Sequence, residues 1–296
     1  MKKATIVLTI ILMFVGVSVY AVGTENNNQT TNKIDISYND LSTTQKMDIL
    51  YPDNPTKSNP VVIFLHGGSY VRGDKTTYQD NVCSLLNSNG YICIMMNYRL
   101  TGEMKFPGAV DDVKTAIRYL KVYSESFAIN KDKIFIMGHS AGANLGSMVV
   151  STSGTEALGN EEIRYNEVNS NVAGFIGIAG FYDLNGFFAN SNKRSNENSI
   201  TRIKGYYGES ANLKNRLIKE NNSNYIKNLR VPTFLIHGCQ DKIVDYQETI
   251  NYYNEVKVKT SNYDISYELF QNGTHGLKDY TIPIQNNTLI EWLNNH

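Results

Sequence analysis

The stretch Lys133–Val150, KIFIMGHSAGANLGSMVV, decides the fold class of this 296-residue chain. It opens with a short apolar run typical of a buried strand and closes with an apolar helical stretch. A strand that turns sharply into a helix strains the residue at the bend and projects its side chain from the sheet edge. Glycines two positions to either side, Gly138 and Gly142, would prevent collisions with neighbouring backbone. The pattern predicts that Ser140 projects from the sheet edge as a nucleophile beside the positive end of a helix dipole.

Short apolar runs recur on both sides of this stretch. Most are continuous rather than alternating, which is typical of strands buried on both faces of a parallel sheet. Residues 34–38 and 46–51 alternate more and are predicted to be antiparallel edge strands. The other predicted strands lie at residues 61–65, 91–96, 133–137, 175–179, 233–236 and 266–270.

Helical patterns separate the predicted strands. In residues 109–123, apolar side chains recur at steps of three and four, and Asp111, Asp112 and Lys114 are expected largely off that face. A second helix is predicted over residues 246–256. Strands that alternate with helices indicate an α/β fold with a doubly wound, mostly parallel sheet and helices on both faces. Residues 183–222 break this alternation, with no evident strand, and are predicted to form a short lid insertion.

Composition excludes several classes of protein. The chain has 28 Lys and Arg against 28 Asp and Glu, a balance that argues against a surface built for nucleic acid or anionic lipid. Three cysteines without a CxxC pair or a His/Cys cluster argue against a disulfide framework and against a structural zinc site. Ample hydrophobicity argues against wholesale disorder.

The first 21 residues have the layout of a secretory signal peptide. Lys2 and Lys3 precede an uncharged apolar run, and Val19-Tyr20-Ala21 places small residues where signal peptidase reads. The alternative is an uncleaved membrane anchor, because the run approaches spanning length. Residues 22–40 are interpreted as a polar spacer and residues 41–296 as the catalytic domain. Whether the first 21 residues are a signal peptide or an anchor, this domain is expected to lie outside the cytoplasm.

Two further motifs follow predicted strands. His66-Gly67-Gly68-Ser69-Tyr70 follows the first buried strand, and consecutive glycines let backbone N–H groups point at a negatively charged oxygen. A plain glycine-rich turn is the alternative, and the later GHSAG favours an oxyanion hole. Asp241 and His275 each follow a later strand, and loops after parallel strands emerge at one sheet edge. Ser140, Asp241 and His275 are therefore expected to meet there, in the chain order of the α/β-hydrolase triad.

The chain resembles the α/β-hydrolase esterases of the hormone-sensitive-lipase-like and feruloyl-esterase-like (BD-FAE) branches. The resemblance covers about residues 45–295 and rests on HGGSYVRGDK, NYRL, FPGAVDDVKTAIRYL, GHSAGANL, VPTFLIHGCQD and GTHG in the expected order. One departure is Ser69, which stands where the common HGGG form has its third glycine. Its backbone N–H can still donate, but the acyl pocket is expected to differ.

The resemblance implies a catalytic triad of Ser140, Asp241 and His275. The backbone N–H groups of Gly68, Ser69 and Ala141 would form the oxyanion hole. Asp245 is the main rival to Asp241, but it is expected to lie in the following helix. Tyr70, Phe181 and Tyr182 are candidate substrate-binding residues near the catalytic edge, as are Phe187 and Phe188, with ordinary loop packing as the alternative.

His275 is the predicted base among five histidines. His66 is expected to order the oxyanion loop, and His139 adjoins the nucleophile but cannot easily reach around to it. His237 is expected to be packed at a strand end, and His296 is expected to be mobile at the terminus.

The leader, the motifs and the resemblance together predict a secreted serine carboxylesterase acting on small or medium esters. The resemblance and the export signal make acetylated or feruloylated carbohydrates attractive substrates. The mechanism requires no metal and no organic cofactor. The expected partner is a small-molecule ester, with no nucleic acid and no membrane insertion apart from the N-terminal anchor. The alternatives are a kynurenine-formamidase-like amidase, a serine peptidase of the same fold, and a non-catalytic hydrolase-fold binding protein. The sequence leaves the oligomeric state and the natural substrate open.

Overall fold

A computed structural model describes residues 31–153, 164–189, 197–208, 221–260, 262–276 and 288–296. The predicted leader, residues 1–21, lies outside the described residues. So do the spacer up to residue 30 and positions 190–196 and 209–220 of the predicted lid segment.

Eight strands form a single sheet in the described part of the chain. They are β1 (Lys33–Ser37), β2 (Lys46–Leu50), β3 (Val61–Leu65), β4 (Ile92–Met96), β5 (Ile134–His139), β6 (Gly174–Ile178), β7 (Thr233–Gly238) and β8 (Ile265–Phe270). Each lies within a residue or two of a strand predicted from the apolar runs.

The strand order is β1-β2-β4-β3-β5-β6-β7-β8. In this order, each strand from β4 to β8 pairs in parallel with the next. At the other edge, β2 pairs antiparallel with both β1 and β4. This confirms the predicted α/β-hydrolase arrangement, a mostly parallel sheet with antiparallel edge strands. Because β5, β7 and β8 run in the same direction, the loops that follow them emerge at one edge of the sheet.

The connecting segments contain seven described α-helices. They are α1 (Gln79–Ser88), α2 (Gly108–Val122), α3 (Ala141–Ser151), α4 (Leu184–Ala189), α5 (Glu197–Tyr207), α6 (Gln247–Lys259) and α7 (Thr288–Asn295). Two short 3-10 helices lie at Asn222–Asn224 and Ile226–Asn228. None of these described helices has the length and apolar character needed to cross a membrane.

The helices cover both faces of the sheet. Alternate side chains of β3 illustrate this, because Ile63 packs in one apolar cluster and Val62 and Phe64 pack in the other. The first cluster includes residues of α2, α3, α5 and α6, and the second includes residues of α1 and α7. Strands buried on both faces need no alternation of apolar and polar residues, which explains the continuous apolar runs in the sequence.

Helix α2 is buried on its polar side as well as on its apolar side. Its polar residues Asp111, Asp112 and Lys114 were expected largely off the apolar face, but all three are buried. Asp112 accepts hydrogen bonds from Arg99 and from Gln45, and Lys114 donates to the carbonyl oxygen of Thr152 at 3.0 Å. The sequence pattern assigns these residues to a helix face and does not predict their burial. They are buried because segments elsewhere in the chain cover the polar side of α2 and supply partners for its charges.

The cysteines also differ from expectation. Cys83 of α1 and Cys93 of β4 form a disulfide, with their Cα atoms 5.3 Å apart, and Cys239 is free and half-buried. The argument against a disulfide framework therefore misses one bond. The pair has no recognisable spacing because the bond depends on how α1 packs against β4.

The described parts of residues 183–222 contain helices and no strand, which agrees with the absence of a strand pattern. Helix α5 packs closely, since Tyr206 and Tyr207 are fully buried. The Tyr206 ring stacks on Tyr70 of the loop after β3, with ring centroids 3.9 Å apart. Helix α5 is thus part of the core, and the role of the whole segment as a lid stays a prediction.

Candidate active site

Ser140 occupies the tight bend between β5 and α3. Its backbone has φ 57° and ψ −119°, a region that L-residues rarely adopt. The flanking glycines allow this bend: a Cβ on Gly138 would lie 2.2 Å from the carbonyl oxygen of Gly142, and a Cβ on Gly142 would lie 2.1 Å from that of Leu65. The first turn of α3 begins directly after Ser140, so its dipole favours negative charge at this position.

The structure brings Ser140, His275 and Asp241 together. The Nε2 atom of His275 lies 2.9 Å from Ser140 Oγ, and its Nδ1 atom lies 2.7 Å from Asp241 Oδ2. Both distances are in the range of good hydrogen bonds. A hydroxyl, an imidazole and a carboxylate in this sequence of contacts can transfer the hydroxyl proton to the imidazole and stabilise the resulting positive charge.

Asp241 is held by four hydrogen bonds. Its Oδ1 accepts from the backbone N–H groups of Ile243 and Val244, and its Oδ2 accepts from His237 as well as His275. Burial by itself would raise the pKa of Asp241, but the hydrogen bonds and charges of His237 and His275 outweigh burial and hold that pKa well below its ordinary value. Asp241 therefore remains an anion at neutral pH.

The rival carboxylate, Asp245, makes a different contact. Its Oδ1 accepts a hydrogen bond from the backbone N–H of Gln247 at the start of α6. No hydrogen bond joins Asp245 to His275 among the contacts described for His275, where Asp241 occupies Nδ1. Asp245 was expected to lie in the following helix, but it lies two residues before α6, which begins at Gln247.

The loop after β3 approaches Ser140 with strained backbone. Gly68 has φ 125° and Ser69 has φ 56°, and a Cβ on Gly68 would lie 1.9 Å from the carbonyl oxygen of Arg72. No described residue accepts a hydrogen bond from the backbone N–H groups of Gly68, Ser69 or Ala141. These amides are the predicted oxyanion donors, and they are not used by secondary structure in the described part of the chain.

A cavity of about 420 Å³ opens onto Ser140 and His275. Its walls combine polar side chains with glycines, the aromatic Tyr78 and the aliphatic Ile243. The lining residues are Gly67, Gly68, Ser69, Arg72, Gly73, Thr77, Tyr78, His139, Ser140, Ser199, Ile243 and His275. No group of three or more His, Cys, Asp or Glu side chains among the described residues is arranged to hold a metal ion.

The three aromatic residues predicted to bind substrate lie elsewhere. Tyr70, Phe181 and Tyr182 are fully buried in the core and do not line this cavity. Tyr70 Oη donates to Asn144 of α3, and Tyr182 stacks on Tyr252 of α6. Phe187, also suggested for the pocket, stacks on Phe181. The packing alternative applies, because these large aromatic rings are stabilised by burial beside helices α3, α5 and α6.

Among the predictions for the other histidines, the one for His296 is wrong. His66 hydrogen-bonds the carbonyl oxygen of Gly67 and stacks on Tyr98, in keeping with a role in ordering its loop. His237 is fully buried and bonds Thr249 as well as Asp241. His296 was expected to be mobile, but its ring stacks on Trp292 and its Nε2 lies 3.0 Å from Asp264. Nearby partners in the fold, which the sequence does not reveal, anchor this terminal residue.

Sequence reasoning expected His237 to be packed, as it is, but assigned neither His237 nor His139 a contact with the site. His237 holds the second position on Asp241 Oδ2, and His139 contacts the backbone of His275 through Nε2 at 2.8 Å. It also missed five cavity-lining side chains, those of Arg72, Thr77, Tyr78, Ser199 and Ile243. The one sequence signal for these cavity-lining side chains was that Arg72 and Tyr78 follow closely after the HGGSY motif. Ser199 gave no such signal, because it reaches the cavity from α5, which is distant in the chain.

Comparison with known proteins places the chain in a family. The model of the family described as BD-FAE matches residues 47–256, most of the chain. The chain belongs to the BD-FAE family. Its sequence is 31% identical over 129 residues to esterase LipC of Mycobacterium tuberculosis, a match that covers 44% of this chain and 32% of LipC. The chain thus spans about a third of that curated relative.

Two solved structures are similar across nearly the whole BD-FAE chain. A truncated carbohydrate esterase from gut microbiota superposes with a TM-score of 0.73 at 20% identity, covering 86% of this chain and 95% of that one. A bifunctional GH43-CE protein of Bacteroides eggerthii superposes with a TM-score of 0.74 at 23% identity, covering 90% of this chain and 37% of that one. At these identities the likeness establishes the shared α/β-hydrolase fold.

Proposed function

We propose that this BD-FAE protein is a serine carboxylic ester hydrolase that works through an acyl-enzyme on Ser140. The observation that carries the proposal is the continuous set of hydrogen bonds from Ser140 Oγ through His275 to Asp241, at 2.9 and 2.7 Å. Esterase names among the relatives, such as esterase LipC, support the same reaction class.

In this mechanism His275 Nε2 accepts the proton of Ser140 as its Oγ attacks the ester carbonyl carbon. Asp241 keeps the Nδ1 proton of His275 in place and stabilises the imidazolium. The carbonyl oxygen, now negative, accepts hydrogen bonds from the amides of Gly68, Ser69 and Ala141, each worth about 3–4 kcal/mol by analogy with measured oxyanion donors. His275 then gives its proton to the leaving alcohol, and water hydrolyses the acyl-enzyme by the same steps in reverse.

The proposed substrates are small or medium esters, including acetyl or feruloyl esters of carbohydrates. The cavity beside Ser140 has a modest volume and is lined by both polar and apolar groups, which suits a short acyl group next to a hydroxyl-rich alcohol. The carbohydrate esterase with a similar fold makes this substrate class the first to test. A panel of short acyl esters, acetyl-xylan, methyl ferulate and N-formylkynurenine separates esterase from amidase activity.

We also propose that residues 1–21 export the protein and that 41–296 form its catalytic domain. Disulfides persist in oxidising compartments, so the Cys83–Cys93 bond supports a location outside the cytoplasm. Mass measurement of the N-terminus of the protein produced with its leader tests whether cleavage follows Ala21.

The decisive experiment compares wild type, Ser140→Ala and Ser84→Ala. Ser84 is an exposed serine of α1 and serves as the matched control. Wild type and Ser84→Ala are expected to hydrolyse p-nitrophenyl acetate and to gain the mass of a fluorophosphonate probe. Ser140→Ala should fold normally, show essentially no hydrolysis and remain unlabelled. Hydrolysis retained by folded Ser140→Ala, or a wild type that the probe never labels, overturns the proposal.

A further inference from the structure

His139, the residue before Ser140, forms a contact with the opposite side of the site. Only 3% of its surface is exposed, and its Nε2 atom lies 2.8 Å from the backbone carbonyl oxygen of His275. A carbonyl oxygen can only accept a hydrogen bond, so Nε2 must carry the proton. Nδ1 of neutral His139 is then unprotonated, and no described group hydrogen-bonds to it.

This contact gives His275 a second point of attachment. Asp241 orients the imidazole ring of His275 through Nδ1, whereas His139 binds the main chain that carries the ring. The two imidazole rings lie close together, with centroids 5.1 Å apart. Because His139 is the last residue of β5 and precedes Ser140 directly, its hydrogen bond joins the segment that carries the nucleophile to the loop that carries the base.

We propose that His139 is a positioning residue, whose Nε2–H holds the loop of His275 so that the imidazole reaches Ser140 Oγ. This inference rests on the proposed function, because it assigns His139 a part in the same reaction. A loss of alignment of about 1 Å at a catalytic base can lower a rate by roughly 100-fold, so one buried hydrogen bond to the base loop is enough to matter.

The surroundings of His139 favour the neutral ring that this role requires. Burial, followed by the neighbouring His275, lowers the pKa of His139 to about 3. Asp241 and His237 are the other titratable side chains that influence it, and the ring of Tyr78 packs edge-on at 5.5 Å. A positive charge on His139 would repel the imidazolium that forms on His275 during turnover.

The test uses three variants of the full-length protein. His139→Leu removes the donor at similar bulk, and His139→Gln restores an N–H at nearly the same reach. His296→Leu is the matched control, because His296 also bonds a backbone carbonyl, that of Trp292, away from the site. We expect His139→Leu to lower kcat by about 10- to 100-fold with KM nearly unchanged, His139→Gln to recover most of kcat, and His296→Leu to retain wild-type kcat.

Nitrogen-15 NMR of the wild-type histidines gives a readout that does not depend on variant folding. It should report His139 as the Nε2–H tautomer with no titration between about pH 5 and pH 8. Should His139→Leu misfold, His139→Gln is compared with the shorter His139→Asn, which must be slower. Wild-type kcat in folded His139→Leu, no advantage of Gln over Asn, or a titrating His139 would each overturn the inference. None of these results affects the assignment of Ser140, which fails if folded Ser140→Ala retains hydrolysis or if the fluorophosphonate probe never labels wild type.

Discussion

Ser140 is held in an unfavourable backbone conformation, and its neighbours maintain it. A non-glycine residue at φ 57° persists only where its surroundings over-determine the geometry. Here the backbone N–H of Ser140 donates to the carbonyl oxygen of Ile178 at 2.9 Å. Gly138 and Gly142 lie so close to neighbouring backbone that a Cβ atom on either would collide with it. The result is a hydroxyl directed at His275 rather than into the sheet.

At this scale, the choice between two carboxylates is testable. Asp241→Asn should lower kcat by about 10⁴-fold, the size of the same change in another serine triad, because an amide cannot hold the imidazole in the required tautomer. Asp245→Asn should leave kcat nearly unchanged, since its side-chain oxygen can still accept the bond from Gln247. Steady-state kinetics on both purified variants decide the matter, and a severe defect in the second with a mild one in the first would reverse the assignment.

The ionisation of Asp241 also predicts a pH dependence of stability. Because the pKa of Asp241 is lower in the folded protein than in the unfolded chain, its charge stabilises the fold above the unfolded value of about 3.9. That stabilisation is lost as the pH falls through the folded pKa. Urea unfolding of wild type and Asp241→Asn should give a free-energy difference that is constant near neutrality and shrinks below about pH 4. A difference that stays constant through this range would mean that the carboxylate is not ionised.

At the level of secondary structure, the position of helix α3 depends on the close contact between its first turn and the end of β3. Gly142→Ala would place a methyl group 2.1 Å from the carbonyl oxygen of Leu65, where backbone cannot move aside easily. We expect a loss of stability of several kcal/mol together with loss of activity, since overpacking shifts the backbone that carries Ser140.

Gly205→Ala is the matched control for this prediction, because a Cβ at Gly205 in α5 meets nothing within 4 Å. Alanine is the better helix former by roughly 1 kcal/mol, so this variant should be as stable as wild type or slightly more so. Thermal unfolding and esterase assays on both variants check the pair. Equal stability of the two would show that the α3–β3 approach is looser than described.

Over the whole molecule, the two-faced sheet separates the reactive edge from the disulfide. Cys83 and Cys93 lie in the apolar cluster shared by α1 and α7, and Cys93 is near the amino end of β4. The candidate site follows the carboxyl ends of β3, β5, β7 and β8. Changes at the disulfide should therefore affect stability without affecting the chemistry.

Reduction of the disulfide is predicted to lower the free energy of unfolding by roughly 2–3 kcal/mol, given its sequence separation of 10 residues. Cys83→Ser/Cys93→Ser should lower Tm by several degrees and retain kcat. Alkylation under denaturing conditions should modify Cys239 alone before reduction and all three cysteines afterwards, as read by intact mass. Three modifications without reductant would contradict the bond.

Local pattern alone determined much of this protein. Continuous apolar runs predicted the described strands closely, because a strand buried on both faces must be apolar at every position. The GHSAG motif predicted the bend at Ser140, since a strand-to-helix turn needs glycines within a few residues. The convergence of Ser140, Asp241 and His275 was also predictable, because loops after parallel strands share one edge of the sheet.

Only the tertiary structure decided which side chains those segments present to one another. It buried Asp112 and Lys114 against Arg99 and Thr152, joined Cys83 to Cys93, and placed Tyr70 in the core. It also set His139 and His237 against the loops of the candidate triad. The physical reason is that burial and hydrogen bonding depend on what covers a surface, and the covering segments lie far away in the chain.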